Sequence, residues 1–147
     1  MSEIFKIFIT SSITALGGIA IIVVGQIVIK FIIEPIQSFR KTLGDIQYSI
    51  IFYQSAYSTP GGKEELENEA YEAFKRLSSE VCSNAKMIPF YRRLSSRFNF
   101  FLPPMADVIK ASTKLRSLSN SVQASDRSHN LGKANEVCDL LNLQRVV

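Results

Sequence analysis

Few side chains in this sequence have the type and spacing that catalysis or metal binding requires. The two cysteines, Cys82 and Cys138, lie far apart and form no CxxC or Cys/His pattern, so we expect neither a metal site nor a disulfide framework. Apolar residues surround both cysteines at helical spacing, which predicts buried thiols. The sole histidine, His129, lies in a polar stretch where we expect it to be solvated. We therefore predict no metal and no other cofactor.

Motifs of known catalytic sites are missing from the sequence as well. It contains no GxSxG or HExxH motif, and Gly61 and Gly62 follow no strand pattern that would make them a phosphate-binding loop. The carboxylates form no helical pair in an apolar setting, which an acid–base couple with separated pKa values would need. We expect a protein that is not an enzyme.

The chemistry that the sequence does offer is recognition of an anionic surface. Residues 89–102 read PFYRRLSSRFNFFL, in which aromatic rings accompany arginines and no acidic residue occurs. Aromatic rings suit the headgroup level of a membrane, and guanidinium groups bind phosphate. We predict a membrane-surface segment whose contacts come from Phe90, Tyr91, Arg92, Arg93, Arg97, Phe98 and Phe101.

Three other interpretations of this segment remain open. The rings could fill a helical core, they could contact a neighbouring subunit, or they could stack on single-stranded nucleic acid while the arginines bind its phosphates. The net charge of +4 is compatible with an anionic membrane and with nucleic acid. Anionic lipid headgroups are the partner that we favour most, and nucleic acid is the one that we favour least.

A long apolar segment near the N-terminus predicts a membrane-spanning helix. No charged residue occurs in the 23 residues between Lys6 and Lys30. As a helix this segment is about 35 Å long, enough to cross a hydrocarbon core of about 30 Å. Its length, without a small-x-small cleavage motif after it, favours a permanent anchor over a signal peptide or a buried soluble helix. We assign residues 1–33 to this anchor.

Basic residues beside the predicted span indicate its orientation. The flank after the span contains Lys30, Arg40 and Lys41, more positive charge than the flank before it. The positive-inside rule therefore places the following domain in the cytoplasm, and two unpaired cysteines fit a reducing compartment. We predict a single-pass protein of the bacterial inner membrane.

One face of the predicted span is lined by small residues at heptad-like spacing, namely Ser11, Ala15, Gly18 and Gly25. Small residues let helix backbones approach closely, and helix association in lipid depends on such packing. We predict that this small-residue face mediates self-association. The alternative is a lone span whose glycines only loosen the helix.

Helical periodicity continues through residues 34–147, which we assign to one basic domain. Pro35 predicts a helix boundary or a kink. After it, apolar residues recur at spacings of three and four and predict a helix over residues 35–57 with a helix-packing seam of Ile36, Phe39, Leu43, Ile46, Ile50, Tyr53 and Tyr57. Amphipathic patterns over residues 66–88, 108–122 and 131–141 predict three further helices.

The predicted fold class is therefore all-α, with an N-terminal transmembrane helix followed by an antiparallel bundle of about four helices. A helix over residues 35–57 would run away from the bilayer for about 33 Å, and the next helix would return over a similar length. We therefore expect residues 89–102 to arrive near the lipid headgroups.

Several stretches of the chain resemble a family of short bacterial single-pass membrane proteins without an assigned function. These stretches are EPIQSFRKTLGDI after the span, IIFYQSAYSTPG, RLSS followed by MIPFYRRL, and KLRSLSNSV. The resemblance implies the same architecture and brings no catalytic residues. By architecture alone, the chain is also similar to the small membrane accessory protein of RNA-targeting CRISPR systems, in which a span and a HEPN-like helical domain assemble a ring-shaped pore.

Two classes of function follow from these patterns. The first is a homo-oligomeric membrane protein with a structural, interaction or pore-forming role, for example in phage defence. The second is a membrane-tethered binding module that recruits a protein or a nucleic acid. The oligomeric mass separates the two, because a monomer contradicts the first class.

Overall fold

The computed structural model describes residues 2–59, 64–97, 102–124 and 129–146. Of the described residues, 87% are helical, and none of them lies in a strand. These observations confirm the predicted all-α fold class. The chain divides into two compact units, Met1–Glu34 and Pro35–Val147.

The first unit is one apolar helix. It consists of α1, Ser2–Val28, and a π-helical turn, Ile29–Ile33. Every side chain of residues 3–33 is exposed. The most apolar window of 18 residues has a mean hydropathy of 2.4, and none of its residues is buried. The described part of the chain thus contains one helix that is long and apolar enough to cross a membrane.

The π-helical turn directly precedes Pro35. In a regular α-helix the Pro35 ring would crowd the carbonyl of Phe31 and could donate no hydrogen bond to it. The wider turn, closed by a hydrogen bond from the Glu34 N–H to the Ile29 carbonyl, gives the ring room. The sequence predicts a boundary or a kink at this point. In the structure the helix widens into the π-helical turn, and α2, Glu34–Phe52, follows it without a gap.

The second unit is a bundle whose long helices are α2, α4 (Glu64–Met87), α6 (Met105–Val122) and α7 (Asn130–Leu140). Two short helices, α3 (Gln54–Ser58) and α5 (Tyr91–Arg97), lie in the connections. Sequential helices are antiparallel. Between α4 and α6, for example, the Ser112 hydroxyl donates to the Ser78 carbonyl at 2.6 Å and the Ser119 hydroxyl donates to the Tyr71 carbonyl at 2.8 Å.

Contacts between α2 and α4 show which ends of these helices coincide. The Asn84 amide donates to the Thr42 hydroxyl at 2.8 Å, while the Tyr53 and Phe74 rings lie 6.1 Å apart further along. The start of α2, the end of α4 and the start of α6 therefore lie together. We call this the anchor end, because it contains Pro35, through which the bundle is joined to the apolar helix.

The predicted helix-packing seam lies in the core of the bundle. Phe39, Leu43, Ile46, Ile50 and Tyr57 are buried, and Ile36 and Tyr53 are partly buried against them. The seam shares one hydrophobic core with buried residues of α4, α6 and α7. The largest fully buried side chains on α4 and α6 are Phe74, Leu77, Val81, Val108, Leu115, Leu118 and Val122.

The helix predicted over residues 35–57 is interrupted at Tyr53, between α2 and α3. A regular helix would use the Ile50 carbonyl for the backbone N–H of Gln54. Instead, the buried Tyr57 hydroxyl donates to that carbonyl at 3.0 Å. A side chain that enters the helical hydrogen-bond ladder in this way breaks its regularity, so the interruption follows from burying a tyrosine that needs an acceptor.

Candidate membrane-contact site

The described part of the predicted membrane-surface segment lies at the anchor end of the bundle. After α4, a turn of Ile88, Pro89 and Phe90 leads into α5. The Tyr91 ring meets the Phe39 ring edge to face at 6.0 Å. Because Phe39 lies one helical turn after Pro35, α5 and the connection to the apolar helix occupy the same end of the bundle.

Tyr91 belongs to the core, although the sequence predicts it on the membrane surface. Its side chain is 7% exposed, and its hydroxyl donates to the Pro103 carbonyl at 2.7 Å. A tyrosine can be buried when its hydroxyl finds such an acceptor. Burial raises the pKa of Tyr91 to about 12. The structure thus assigns Tyr91 to packing, one of the alternatives that the sequence leaves open.

Phe90, by contrast, projects into solvent from a strained backbone. Its side chain is 73% exposed, and its φ of 56° lies in the left-handed region that residues other than glycine rarely adopt. The Phe90 carbonyl accepts hydrogen bonds from the backbone N–H groups of Arg93 and Leu94 at 2.9 and 3.1 Å, so this residue begins α5. Such strain is common at functional sites.

The three arginines of the segment follow Phe90 along α5 and add positive charge to it. Arg92, Arg93 and Arg97 are exposed, and no ion pair of theirs to a carboxylate occurs in the described part of the chain. Met87, which is 62% exposed, adds a second apolar side chain next to the turn. The predicted contacts Phe98 and Phe101 lie outside the described residues.

The other chemistry-bearing residues that the structure describes do not form a site. Cys82 is half-buried and Cys138 is buried, and both are free thiols. Burial raises the pKa of the Cys138 thiol, which makes it less reactive at neutral pH. Within the residues that the structure describes, no three His, Cys, Asp or Glu side chains form a group that could hold a metal ion.

The predicted small-residue face of α1 is fully exposed. Ser11, Ala15, Gly18 and Gly25 are all exposed, and a Cβ placed on either glycine would meet no atom within 4 Å. Nearby hydroxyls are satisfied inside the helix, since Thr10, Ser12 and Thr14 each donate to a carbonyl one turn earlier at 2.9 Å. A lipid environment requires such internal pairing.

An exposed apolar group on α2 does not appear among the sequence-predicted sites. Tyr48, Ile51 and Phe52 lie on the side of α2 opposite the core seam and are 61%, 54% and 51% exposed. The Tyr48 and Phe52 rings stack at 5.4 Å. The available signal was apolar residues at spacings of three and four on a second face of the predicted helix, off the seam.

The buried tyrosines predict a loss of stability at alkaline pH. Burial raises the pKa of both Tyr57 and Tyr91 to about 12, above the ordinary value of 10. The contribution of the two protonated hydroxyls to the free energy of unfolding should be complete below pH 10. It should be lost as the pH rises from 10 to 12, by about 2–3 kcal/mol for each residue. We expect chemical denaturation of the full chain in detergent to show this decline.

Phenylalanine variants provide the control for the alkaline effect. Replacing both Tyr57 and Tyr91 by Phe should flatten the profile between pH 10 and 12. The same change should lower stability at neutral pH by about 1–3 kcal/mol for each residue, because the carbonyls of Ile50 and Pro103 lose their buried donors. Tyr48→Phe, at an exposed ring, should keep the wild-type profile, and an equal flattening there would contradict this explanation.

The variant Phe90→Gly should change the stability of the bundle and its binding to membranes in opposite directions. Glycine adopts a positive φ readily, so we expect the variant to raise the free energy of unfolding by about 0.5–1 kcal/mol. Binding of the bundle to anionic vesicles should weaken, because the exposed ring is gone. Denaturation and vesicle co-sedimentation measure the two effects. Leu131→Gly, at a partly exposed apolar residue of α7 near the far end of α6, should instead lower stability and leave vesicle binding unchanged.

The anchor end thus combines exposed apolar side chains, exposed arginines and the chain connection to the apolar helix. Such a surface suits the boundary between lipid headgroups and acyl chains. Comparisons of the chain with protein families, curated proteins and solved structures give no match.

Proposed function

We propose that this chain is a single-pass membrane protein that associates with further copies of itself and holds the anchor end of its bundle against anionic lipid. The observation that carries the proposal is the complete exposure of the apolar helix, in which no residue of the most apolar window is buried. An exposed apolar surface of this size is a mark of membrane or protein contact.

The orientation within this proposal follows the charges around the anchor. Lys30, Arg40 and Lys41 lie on the bundle side, which favours a cytoplasmic bundle at a bacterial inner membrane. The same leaflet carries anionic lipids that attract basic residues close to a span. Arg92, Arg93 and Arg97 would add to this attraction if the anchor end faces the bilayer.

Self-association is supported by the small-residue face on α1. Apolar area alone does not drive association in lipid, because the acyl chains are equally apolar, so close backbone approach between small residues becomes decisive. Gly18 and Gly25 are exposed, with open space where a Cβ would stand. A homo-oligomer of such spans would be either a passive assembly or a pore.

Membrane extraction and mass measurement test this proposal. The full chain expressed in bacteria should stay with the membrane at alkaline carbonate, and native mass measurement in mild detergent should give a multiple of 16.5 kDa. Release by carbonate contradicts the anchor. A monomer in both detergent and nanodiscs contradicts self-association and leaves the tethered binding module as the better proposal.

Leakage from vesicles tests the pore-forming role separately. Purified protein reconstituted into dye-filled vesicles should release the dye if the assembly is an open pore. A stable oligomer without leakage would restrict the role to structural or interaction functions under the conditions used.

A further inference from the structure

The exposed apolar group of Tyr48, Ile51 and Phe52 on α2 is held rigidly. Tyr48 stacks on Phe52 at 5.4 Å, and Phe52 meets the Tyr53 ring edge to face at 5.0 Å. Tyr53 in turn packs against the buried Phe74 ring at 6.1 Å. Tyr48 and Phe52 are therefore connected to the core through a chain of aromatic contacts, although more than half of each side chain remains in solvent, as does more than half of Ile51.

Tyr48 and Ile51 belong to a second heptad-like seam, which we call the outer seam, and Phe52 lies beside it. The seam runs along α2 through Lys41, Gly44, Tyr48 and Ile51 at spacings of three and four, Ser55 follows in α3, and all five residues are exposed. A Cβ on Gly44 would meet no atom within 4 Å. Glycine inside an exposed helix costs about 1 kcal/mol relative to alanine. Gly44 borders a cavity with Pro103 and Leu141 of the same bundle, but no atom there is close enough to require a glycine, whereas close approach of another backbone would.

We infer that the outer seam is a contact between two copies of this chain, in which parallel α2 helices meet beside the membrane. This inference rests on the proposed membrane anchorage and specifies where copies touch outside the bilayer. Two chains anchored in one membrane with the same orientation present Tyr48, Ile51 and Phe52 at the same height. A two-fold axis along the membrane normal then brings each residue close to its own counterpart.

The area of the apolar group favours a second copy over a soluble partner. Two half-exposed aromatic rings and an isoleucine offer about 300 Å², whereas a stable complex between free proteins buries about 800 Å² on each side. A shared membrane raises the local concentration of copies and restricts their orientation, so a smaller contact suffices.

The charge of the seam is also compatible with a symmetric contact. A two-fold axis places like residues near each other, and like charges there would repel. From Gly44 to Ser55 the exposed residues include one charged side chain, Asp45, which is not a seam position and lies one turn before Tyr48, at the Phe52 edge of the seam. Lys41 is the seam position nearest the anchor, where neighbouring acidic headgroups or solvent can screen it.

Cysteine cross-linking in reconstituted vesicles tests the inference. In the full chain, Cys82 is first replaced by serine and Cys138 by alanine to remove both native thiols. Tyr48 is then replaced by cysteine. Because Thr42 pairs with Asn84 and Tyr53 with Phe74, the exposed Ser79 on α4 lies at the height of Tyr48. Ser79→Cys is therefore the matched control. We expect mild oxidation to give at least about fivefold more disulfide dimer for Tyr48→Cys than for Ser79→Cys, because a seam contact brings the two sulfurs within bonding distance.

Each outcome of this experiment has a defined meaning. Equal cross-linking of both variants, or none in either, overturns the inference, while carbonate-resistant protein in the same vesicles would leave the proposed anchorage intact. Release by carbonate overturns both. Protection of the Tyr48→Cys thiol from maleimide in cell membranes, without cross-linking in purified vesicles, identifies a different protein on the seam and also overturns the inference.

An aspartate at the seam provides an independent measurement. Ile51 is exposed and does not contribute to the buried core. The variant Ile51→Asp should therefore leave the helical content and the free energy of unfolding of the bundle unchanged. It should reduce the Tyr48→Cys dimer yield at least about fivefold. Unchanged cross-linking in this variant would show that the seam residues do not form the contact.

Discussion

Reversing the charge of Arg92, Arg93 and Arg97 to glutamate should weaken binding of residues 35–147 to phosphatidylserine vesicles by at least about 100-fold. A basic residue near an anionic bilayer contributes about 1 kcal/mol, so loss of three corresponds to roughly 100-fold, and repulsion of the new carboxylates adds to it. The fragment is a suitable probe because this unit contains its own hydrophobic core. Co-sedimentation over a range of lipid concentrations gives the affinity.

The matched control reverses three exposed basic residues away from the anchor end. Lys75, Arg76 and Arg116 lie in the middle of α4 and α6, and their replacement by glutamate changes the net charge equally. This variant should lose much less affinity than the first, and neutral vesicles should bind neither well. An equal loss in both variants would indicate general charge attraction, and unchanged binding of the first would exclude the membrane-contact site.

Replacing Ala15 and Gly18 together by leucine should dissociate the oligomer within the membrane. Two bulky side chains on the small-residue face keep neighbouring backbones apart and remove their packing contacts. We expect the dissociation constant in detergent to rise at least about tenfold, which corresponds to ~1.4 kcal/mol. Native mass at several protein-to-detergent ratios measures the change.

Ala20→Leu provides the control for this second prediction. Ala20 is also small and exposed, but it lies on the opposite side of α1 from Gly18 because two residues turn a helix by about 200°. This variant should keep the wild-type mass. If it dissociates the oligomer equally, the effect does not come from the small-residue face. If neither variant changes the mass, contacts outside the bilayer hold the copies together, and the outer seam is the structural candidate.

The small-residue face and the outer seam together predict a combined effect on self-association. A chain with Ala15→Leu and Gly18→Leu should still cross-link through Tyr48→Cys, although with a lower yield, if both surfaces contribute to one assembly. Energies of sites that are far apart and share no partners add approximately. The combined variant with Ile51→Asp should then be monomeric.

Much of the architecture was predictable because its causes are local. The absence of charge between Lys6 and Lys30 and the length of that segment determine an apolar helix irrespective of other contacts. The spacing of the core seam requires one buried helical face, and the prolines and polar turns separate the helices. These features depend on neighbouring residues along the chain, so the all-α class with a bundle after the apolar helix could be inferred without coordinates.

Which aromatic residues are buried and which are exposed was not predictable in this way. Phe90 and Tyr91 are adjacent and similar in type, yet the first is exposed and the second is buried. The difference comes from the Pro103 carbonyl, which lies twelve residues after Tyr91 and accepts a hydrogen bond from its hydroxyl. A sequence pattern contains no information on such an acceptor, because only the packed bundle brings it to the ring.

The sequence by itself therefore determined the apolar helix, the helical fold class and the aromatic and arginine content of residues 89–102. Only the tertiary structure decided that Phe90 and the arginines face solvent, that Tyr57 interrupts a predicted helix, and that Tyr48, Ile51 and Phe52 remain uncovered. The physical reason is that helix formation follows from spacing along the chain, whereas exposure depends on which of several apolar faces the antiparallel neighbours cover.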